Sequence, residues 1–380
     1  ERIRTMLEDV ARNTERDEVE RDAARVALDG LDRAAIQTIH SFAQSLVQER
    51  AVDAGLPLVI EPLDGVDADI EFDARFSGWV DKLLDDDELG RVITNAVRLG
   101  FEPPLTRLRE LASAFHNEYH RIGDLKFELE TNQVRLAAKM IVSARTEIEE
   151  MLQYSQVGED DKLYQHAKAV IELGATLEKL DVESDIPIGV LARFGNIKTS
   201  GGRQSDWGKL TDGANAARRL KDLFANLQEV LALELEQARS AVLVPILRAA
   251  RKFVLEYAEE RRRTGRAEFN DLLVWARDLL TQSPNAQSYF ADRYKRILID
   301  EFQDTDPLQL EIASRLAGVN GAGDQARPGA LFVVGDPKQS IYRFRRADPR
   351  VIGELPSAIG AETVYLKNTF RSNSGIVGWV

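Results

Sequence analysis

Two adjacent carboxylates, Asp300 and Glu301, follow a short apolar run, Arg296-Ile-Leu-Ile299. The run reads as a short buried strand, and in a parallel α/β sheet the C-terminal ends of strands are where ligands bind. Acids there suit a hydrated magnesium ion. A carboxylate on the metal, beside one that can orient a water, is an arrangement for cleaving phosphoanhydrides. Taken alone, a strand that ends in a solvated acidic turn explains the pair equally well. A second apolar run, Ala330-Leu-Phe-Val-Val334, reads as another buried strand and ends in Gly335-Asp-Pro-Lys-Gln-Ser340. The helix expected next, Ile341–Arg346, carries Tyr342 and Phe344 among Arg343, Arg345 and Arg346. Aromatics interleaved with arginines make a stacking platform flanked by charge, which suits single-stranded nucleic acid. The plainer alternative is a core Phe344 with solvent-facing arginines.

These residues need elements to hold them. After Gly265 the chain follows α/β grammar: Glu268-Phe-Asn-Asp-Leu-Leu273 opens a helix, with Asn270 as its cap and Phe269 as an apolar staple. Asp306-Pro307 starts the helix after the acidic strand, with proline at the first position. Another helix begins at Asp348-Pro349. Thr363-Val-Tyr-Leu366 reads as a third strand, leading to Asn368-Thr-Phe-Arg-Ser372 and a terminal helix. Upstream, Ala34-Ala-Ile-Gln reads as a short strand feeding a helix through Thr38, His40 and Ser41. Hydroxyls and an imidazole at such a junction can donate to phosphates, although a Ser41 cap with His40 as its neighbour is the simpler account.

Between these stretches lies a block, residues 70 to 262, that reads as almost wholly helical, after a linker marked by Gly55, Pro57, Pro62 and Gly65. Helices are expected over 71–86, 105–119, 126–154, 162–180 and 215–260, the last kinked at Pro245. A loop around Gly195–Gly208 holds a phosphate-loop lookalike, Gly202-Arg-Gln-Ser-Asp-Trp-Gly-Lys-Leu210. It fails the pattern, because five residues separate the glycines and Leu210 replaces the hydroxyl. His116, His120 and His166 lack metal-ligand spacing and read as surface or packing residues.

The chain has 380 residues, 44% hydrophobic and 30% charged, enough for a sizeable core and two or three domains. It has no cysteine, which excludes disulfides and thiolate metal sites and fits a reducing, cytoplasmic location. No apolar run reaches the roughly 18 residues needed to span a membrane. A net charge of −13 excludes a wholesale nucleic-acid coat. Locally, five basic residues between Lys338 and Arg350 stand against one acid, Asp348. A second basic cluster is Arg261, Arg262, Arg263 and Arg266; it could track a phosphate backbone or merely solvate a helix end. Glu1-Arg-Ile-Arg has neither an initiator Met nor a signal-peptide pattern, and Ile376–Val380 stops within a helical pattern, so a piece of a longer protein is expected.

Together these segments resemble the UvrD/Rep group of superfamily-1 DNA helicases. Ile297–Thr305 with Gln309 is similar to that group's motif II, Gly335–Arg346 to motif III, and Leu366–Ser372 to motif IV. Thr38–Phe42 is similar to motif Ib, and Glu268–Leu272 to the small motif ahead of motif II. The Asp-Pro-Lys-Gln of motif III resembles the RecB/AddA branch, the helicase-nuclease subunits of DNA recombination and repair. The resemblance implies an α/β fold: an incomplete RecA-like P-loop motor subdomain with a parallel sheet, interrupted by a large all-α insertion. The motor parts would be residues 1–55 and 263–380, and the insertion 56–262.

The resemblance also implies roles. Asp300 would hold Mg2+ and Glu301 would orient or deprotonate the attacking water. Gln339 would sense the γ-phosphate of ATP, Arg371 would stabilise its charge, and Phe370 would stack on adenine, where relatives more often have tyrosine. Tyr342, Phe344 and Arg345, with Thr38, His40 and Phe269, would contact single-stranded DNA. The implied activity is that of an ATP-dependent 3′-to-5′ translocase or helicase on single-stranded or duplex DNA, with no membrane and with a helicase-nuclease partner subunit. Arg346 departs from the glycine of many relatives. Motifs I, Ia, V and VI are not in this sequence, so the chain by itself is expected neither to hydrolyse ATP nor to unwind DNA. The competing readings are a DNA-binding scaffold with a degenerate nucleotide site, which retention of Asp300, Glu301, Gln339 and Arg371 disfavours, and an unrelated P-loop ATPase.

Overall fold

A computed structural model describes residues 2–101, 104–128, 136–181, 186–321, 324–341, 360–366 and 375. The chain forms two compact units: Glu1–Gly65 with Arg261–Val380, and Val66–Glu260. In chain order the first unit opens with α1 (Arg2–Arg12), α2 (Glu18–Gly30), α3 (Ile39–Glu49) and the short strand β1 (Glu61–Pro62). The strand expected at 34–37 does not form; Ile36 is exposed and the segment simply runs into α3. Thr38, not Ser41, caps that helix: its Oγ1 accepts the Ser41 N–H at 3.3 Å, which satisfies one of the orphan donors of the first turn.

The second unit consists, among the described residues, of helices: α4 (Gly65–Asp85), α5 (Asp87–Arg98), α6 (Pro104–Asn117), α7 (Tyr119–Ile122), α8 (Leu136–Leu152), α9 (Lys162–Leu177), α10 (Ile186–Phe194) and most of α11 (Ala216–Thr264). Asp86 breaks α4 from α5 by accepting the N–H groups of Glu88 and Leu89. One core gathers Ile141, Ile148, Leu163, Leu191 and Phe224, and a second gathers Phe72, Phe76, Phe253 and Tyr257. α11 runs uninterrupted through Pro245. The lookalike loop is structural: buried Asp161 accepts N–H groups from Leu163, Gly202 and the Trp207 indole, and pins the loop to the start of α9. These bonds to the ionised form hold the Asp161 carboxyl below its usual range, against the opposing effect of burial.

The first unit resumes with β2 (Arg266–Ala267), α12 (Phe269–Gln282), α13 (Pro284–Arg293), β3 (Ile297–Ile299), α14 (Pro307–Leu316) and β4 (Leu331–Val333). β1 pairs parallel with β2, and β3 pairs parallel with β4 in the register Ile297↔Leu331, Leu298↔Phe332, Ile299↔Val333. A parallel neighbour requires a crossover connection, and here it contains α14. Ile299, Phe302 and Ala313 form the core behind this sheet, with Ile297, Leu331, Val333 and Ile39 packed on it.

The two strands are not buried on both faces, as their apolar runs led us to expect. Side chains alternate across a strand, and Leu298 and Phe332 on the other face are 73% and 61% exposed. The third strand expected at 363–366 is also not formed: among the described residues these pair with no ladder, and Val364, Tyr365 and Leu366 are exposed. Among the described residues no helix is long and apolar enough to cross a membrane.

Candidate functional site

The parallel pairing of β3 with β4 brings the acidic turn and the Gly335–Gln339 turn to the same end of one sheet. Beyond the strands the ladder continues, with Val334 N–H donating to Ile299 O at 2.9 Å and Phe302 N–H to Val334 O at 2.8 Å. Asp300 and Glu301 leave β3 exposed to solvent, and the chain then turns through a 3-10 segment, Phe302–Asp304, into α14. Asp306 caps α14, its carboxylate accepting the Leu308 N–H, and Pro307 takes the first position.

Glu301 has φ 50° and ψ 43°; among the described residues it is the non-glycine residue with positive φ. For an L-residue this left-handed conformation costs about 1–2 kcal/mol, and it persists only where the surroundings over-determine it. Here they do. Phe302, buried, anchors the following residue through its bond to Val334. Asp300 Oδ1 accepts the Glu301 N–H at 3.0 Å. Gln303, 2% exposed, donates from Nε2 to Glu301 Oε2 at 2.5 Å.

On the β4 side, Asp336 N–H donates to Gln303 Oε1 at 2.9 Å, and Ser340 Oγ donates to Gln303 O at 3.2 Å. Gly335 is needed for this approach, since a Cβ there would meet Gln303 Oε1 at 2.8 Å and Gln303 N at 3.1 Å. The Asp336 carboxylate accepts the Lys338 N–H at 3.0 Å and the Gln339 Nε2 at 3.1 Å. Those bonds hold its carboxyl below the usual range, the Lys338 N–H contributing most. Gln339 is exposed. No group of three or more His, Cys, Asp or Glu side chains is assembled for a metal among the described residues. One or two carboxylates completed by water and phosphate oxygens is the magnesium pattern, and Asp300 with Glu301 fits that donor set.

Of the second set of expected residues, His40 and Phe269 are in contact. His40 stacks on Phe269, ring centroids 3.5 Å apart and planes 20° from parallel. Phe269 is 67% exposed and therefore no staple. Burial lowers the His40 pKa to about 4, so the ring is neutral at pH 7. Thr38 Oγ1 lies 2.9 Å from Ser41 Oγ and is engaged in capping. Ile39, between Thr38 and His40, packs on the core of Ile299 and Phe302, which ties this segment to the acidic turn.

The cap of α12 is Glu268, not Asn270. Glu268 and Asp271 form a reciprocal box in which Asp271 Oδ2 accepts the Glu268 N–H at 2.9 Å. Asp271 also receives Arg261 in a bidentate pair, at 2.7 and 3.0 Å. Arg261 is 1% exposed, and Arg262 is bound to Ala54 O and Asp278. Of the second basic cluster, only Arg263 and Arg266 face solvent. Tyr342, Phe344, Arg345, Arg346, Phe370 and Arg371 lie outside the described residues.

A family model for the UvrD/REP helicase N-terminal domain matches residues 1–359. The chain belongs to this family. Among its relatives, an ATP-dependent helicase/nuclease subunit of Carboxydothermus hydrogenoformans is 33% identical over 186 residues, 46% of this chain and 15% of that protein. The subunit of the same name from Streptococcus sanguinis is 30% identical over 155 residues, 38% of this chain and 12% of its own. One from Streptococcus pneumoniae is 26% identical over 273 residues, 65% of this chain and 22% of its own. The match to this UvrD/REP chain thus covers less than a quarter of each of these relatives.

Gln303 and Asp336 escaped the reading of the sequence, as did the Arg261–Asp271 pair. A signal for Gln303 existed: an amide two residues after Glu301, in a turn whose other members are acids and one phenylalanine.

Proposed function

We propose that this chain is part of an ATP-dependent DNA helicase or translocase acting in DNA recombination and repair. The observation that carries the reading is the in-register parallel pairing of β3 with β4, which sets the Asp300–Glu301 turn beside the turn that bears Gln339. In this reading Asp300 holds magnesium, which when bound neutralises charge on the nucleotide's phosphates. Glu301, braced in its left-handed conformation, orients a water and accepts its proton. Gln339 senses the terminal phosphate and relays its loss toward the DNA. Arg371 steadies charge on that phosphate and Phe370 stacks on adenine.

Thr38, His40 and Phe269, with Tyr342, Phe344 and Arg345, grip single-stranded DNA. A neutral, half-buried imidazole backing an exposed phenyl ring supports this, because base stacking needs an open π-face. The helical unit is the insertion within the motor subdomain. The 3′-to-5′ direction, a cytoplasmic location and the nuclease partner come from likeness to the family alone.

The test is ATP hydrolysis by the longer protein that contains this chain, with Mg2+ and with or without single-stranded DNA. DNA-stimulated turnover that Glu301→Gln lowers by about a hundredfold or more, with nucleotide binding retained, is the expected result; turnover indifferent to Glu301→Gln would defeat it. The isolated 380-residue chain is expected to show no hydrolysis, and a magnesium- and DNA-dependent signal from it, lost in Glu301→Gln, would overturn that part. Single-stranded DNA binding that is weak and unmoved by Phe344→Ala and Arg345→Ala would favour a scaffold.

A further inference from the structure

Gln303 is a polar side chain, 2% exposed, in a turn that begins with the exposed acids Asp300 and Glu301. Both ends of its amide are used, and the partners dictate which end is which. A carboxylate only accepts, so the NH2 group must face Glu301; a backbone N–H only donates, so the carbonyl must face Asp336. The amide cannot flip without losing both bonds. Its main chain is fixed as well, by the Ser340 hydroxyl. From Asp336 the connection continues through that residue's carboxylate to the Gln339 amide.

We propose that Gln303 is a positioning residue for the reaction, setting the direction of the Glu301 carboxylate and coupling it to the turn that carries Gln339. The proposal rests on the reading of Glu301 as the group that activates water. The amide bond occupies Glu301 Oε2 and leaves the other oxygen for a water. It also opposes rotation of a carboxylate that stands on a strained residue and is otherwise exposed. Because the same amide accepts from Asp336, a shift of the Gln339 turn alters the bond that orients Glu301. That gives a physical route by which DNA contact could change the rate of hydrolysis.

Two substitutions in the longer protein test this. Gln303→Met keeps the volume and removes both bonds. It is expected to lower kcat by about ten- to a hundredfold, with KM for ATP within about twofold, and to reduce the ratio of turnover with DNA to turnover without it. Gln303→Glu keeps an acceptor for the Asp336 N–H but takes away the donor to Glu301; kcat is expected to fall by about tenfold or more, with KM for ATP within about twofold.

A folded Gln303→Met variant with unchanged kcat and DNA stimulation overturns the proposal while leaving the hydrolysis reading intact. If Gln303→Met does not fold, Gln303→Glu decides: a lower kcat at an unchanged KM for ATP supports the positioning role and an unchanged kcat ends it. Parent turnover that ignores Glu301→Gln is the separate result that removes the underlying reading and this proposal with it.

Discussion

His40 and Phe269 show how two side chains acquire a property neither has alone. An exposed phenylalanine offers a π-face to a base but is free to move; stacked on a half-buried imidazole, it is held. Because burial keeps the imidazole neutral, the pair contributes stacking and no charge. Phe269→Ala should therefore weaken single-stranded DNA binding by about 1–3 kcal/mol and leave the slope of log affinity against log salt unchanged, since no cation is removed. Titrating binding at several salt concentrations checks this; a flatter slope would mean the ring acts by placing an arginine.

The same burial has a consequence for stability. The His40 pKa is about 4 in the folded chain against 6.5 in the unfolded one, so between those values the unfolded chain takes up a proton that the folded chain refuses. Stability is complete above pH 6.5 and declines as pH falls toward 4. His40→Gln should flatten that decline relative to the parent, as read by melting temperature at pH 7, 6 and 5.

At the scale of elements, α12 shows what a sequence gives away and what it withholds. Glu268–Leu273 announced a helix start, and one is there, but the cap is Glu268 because Asp271 returns the bond; Asn270, the better single-residue cap, loses to a reciprocal pair. Asp306-Pro307 announced α14 correctly, since cap and proline are both local. The strand expected at 363–366 did not form, and apolar composition alone does not make a strand, since strand preference depends on cross-strand neighbours. The pairing of β3 with β4 joins residues more than thirty positions apart, and no local pattern encodes it. The amide of Gln303 stood beside Glu301 in the sequence, but its bond to Asp336 exists only once that pairing has formed.

The basic cluster makes the point sharply. Arg261 and Arg263 look alike in sequence, yet Arg261 is buried against Asp271 and Arg263 is exposed. Arg261→Met leaves a buried carboxylate without its cation and should cost about 3–5 kcal/mol. Arg263→Ala should stay within about 0.5 kcal/mol. Urea unfolding of both variants decides it, and equal effects would mean the buried pair contributes nothing beyond its packing.

At the scale of the whole molecule, the chain carries separate cores: Phe224 lies in one within the 66–260 unit, and Leu46 on α3 lies in the other unit. Chains with more than one core commonly depart from two-state unfolding. One element opposes that separation, because α11 extends as a single helix from Ala216 to Thr264, past the boundary at Glu260. The distance over which cooperativity travels along that helix determines whether heating melts the chain in one step or two. We expect two. Phe224→Ala should remove about 3–5 kcal/mol from the helical unit and lower one calorimetric transition while leaving the other in place. Leu46→Ala, at about 2–5 kcal/mol, should do the converse. A single transition displaced by both substitutions would show that α11 unfolds the two units together.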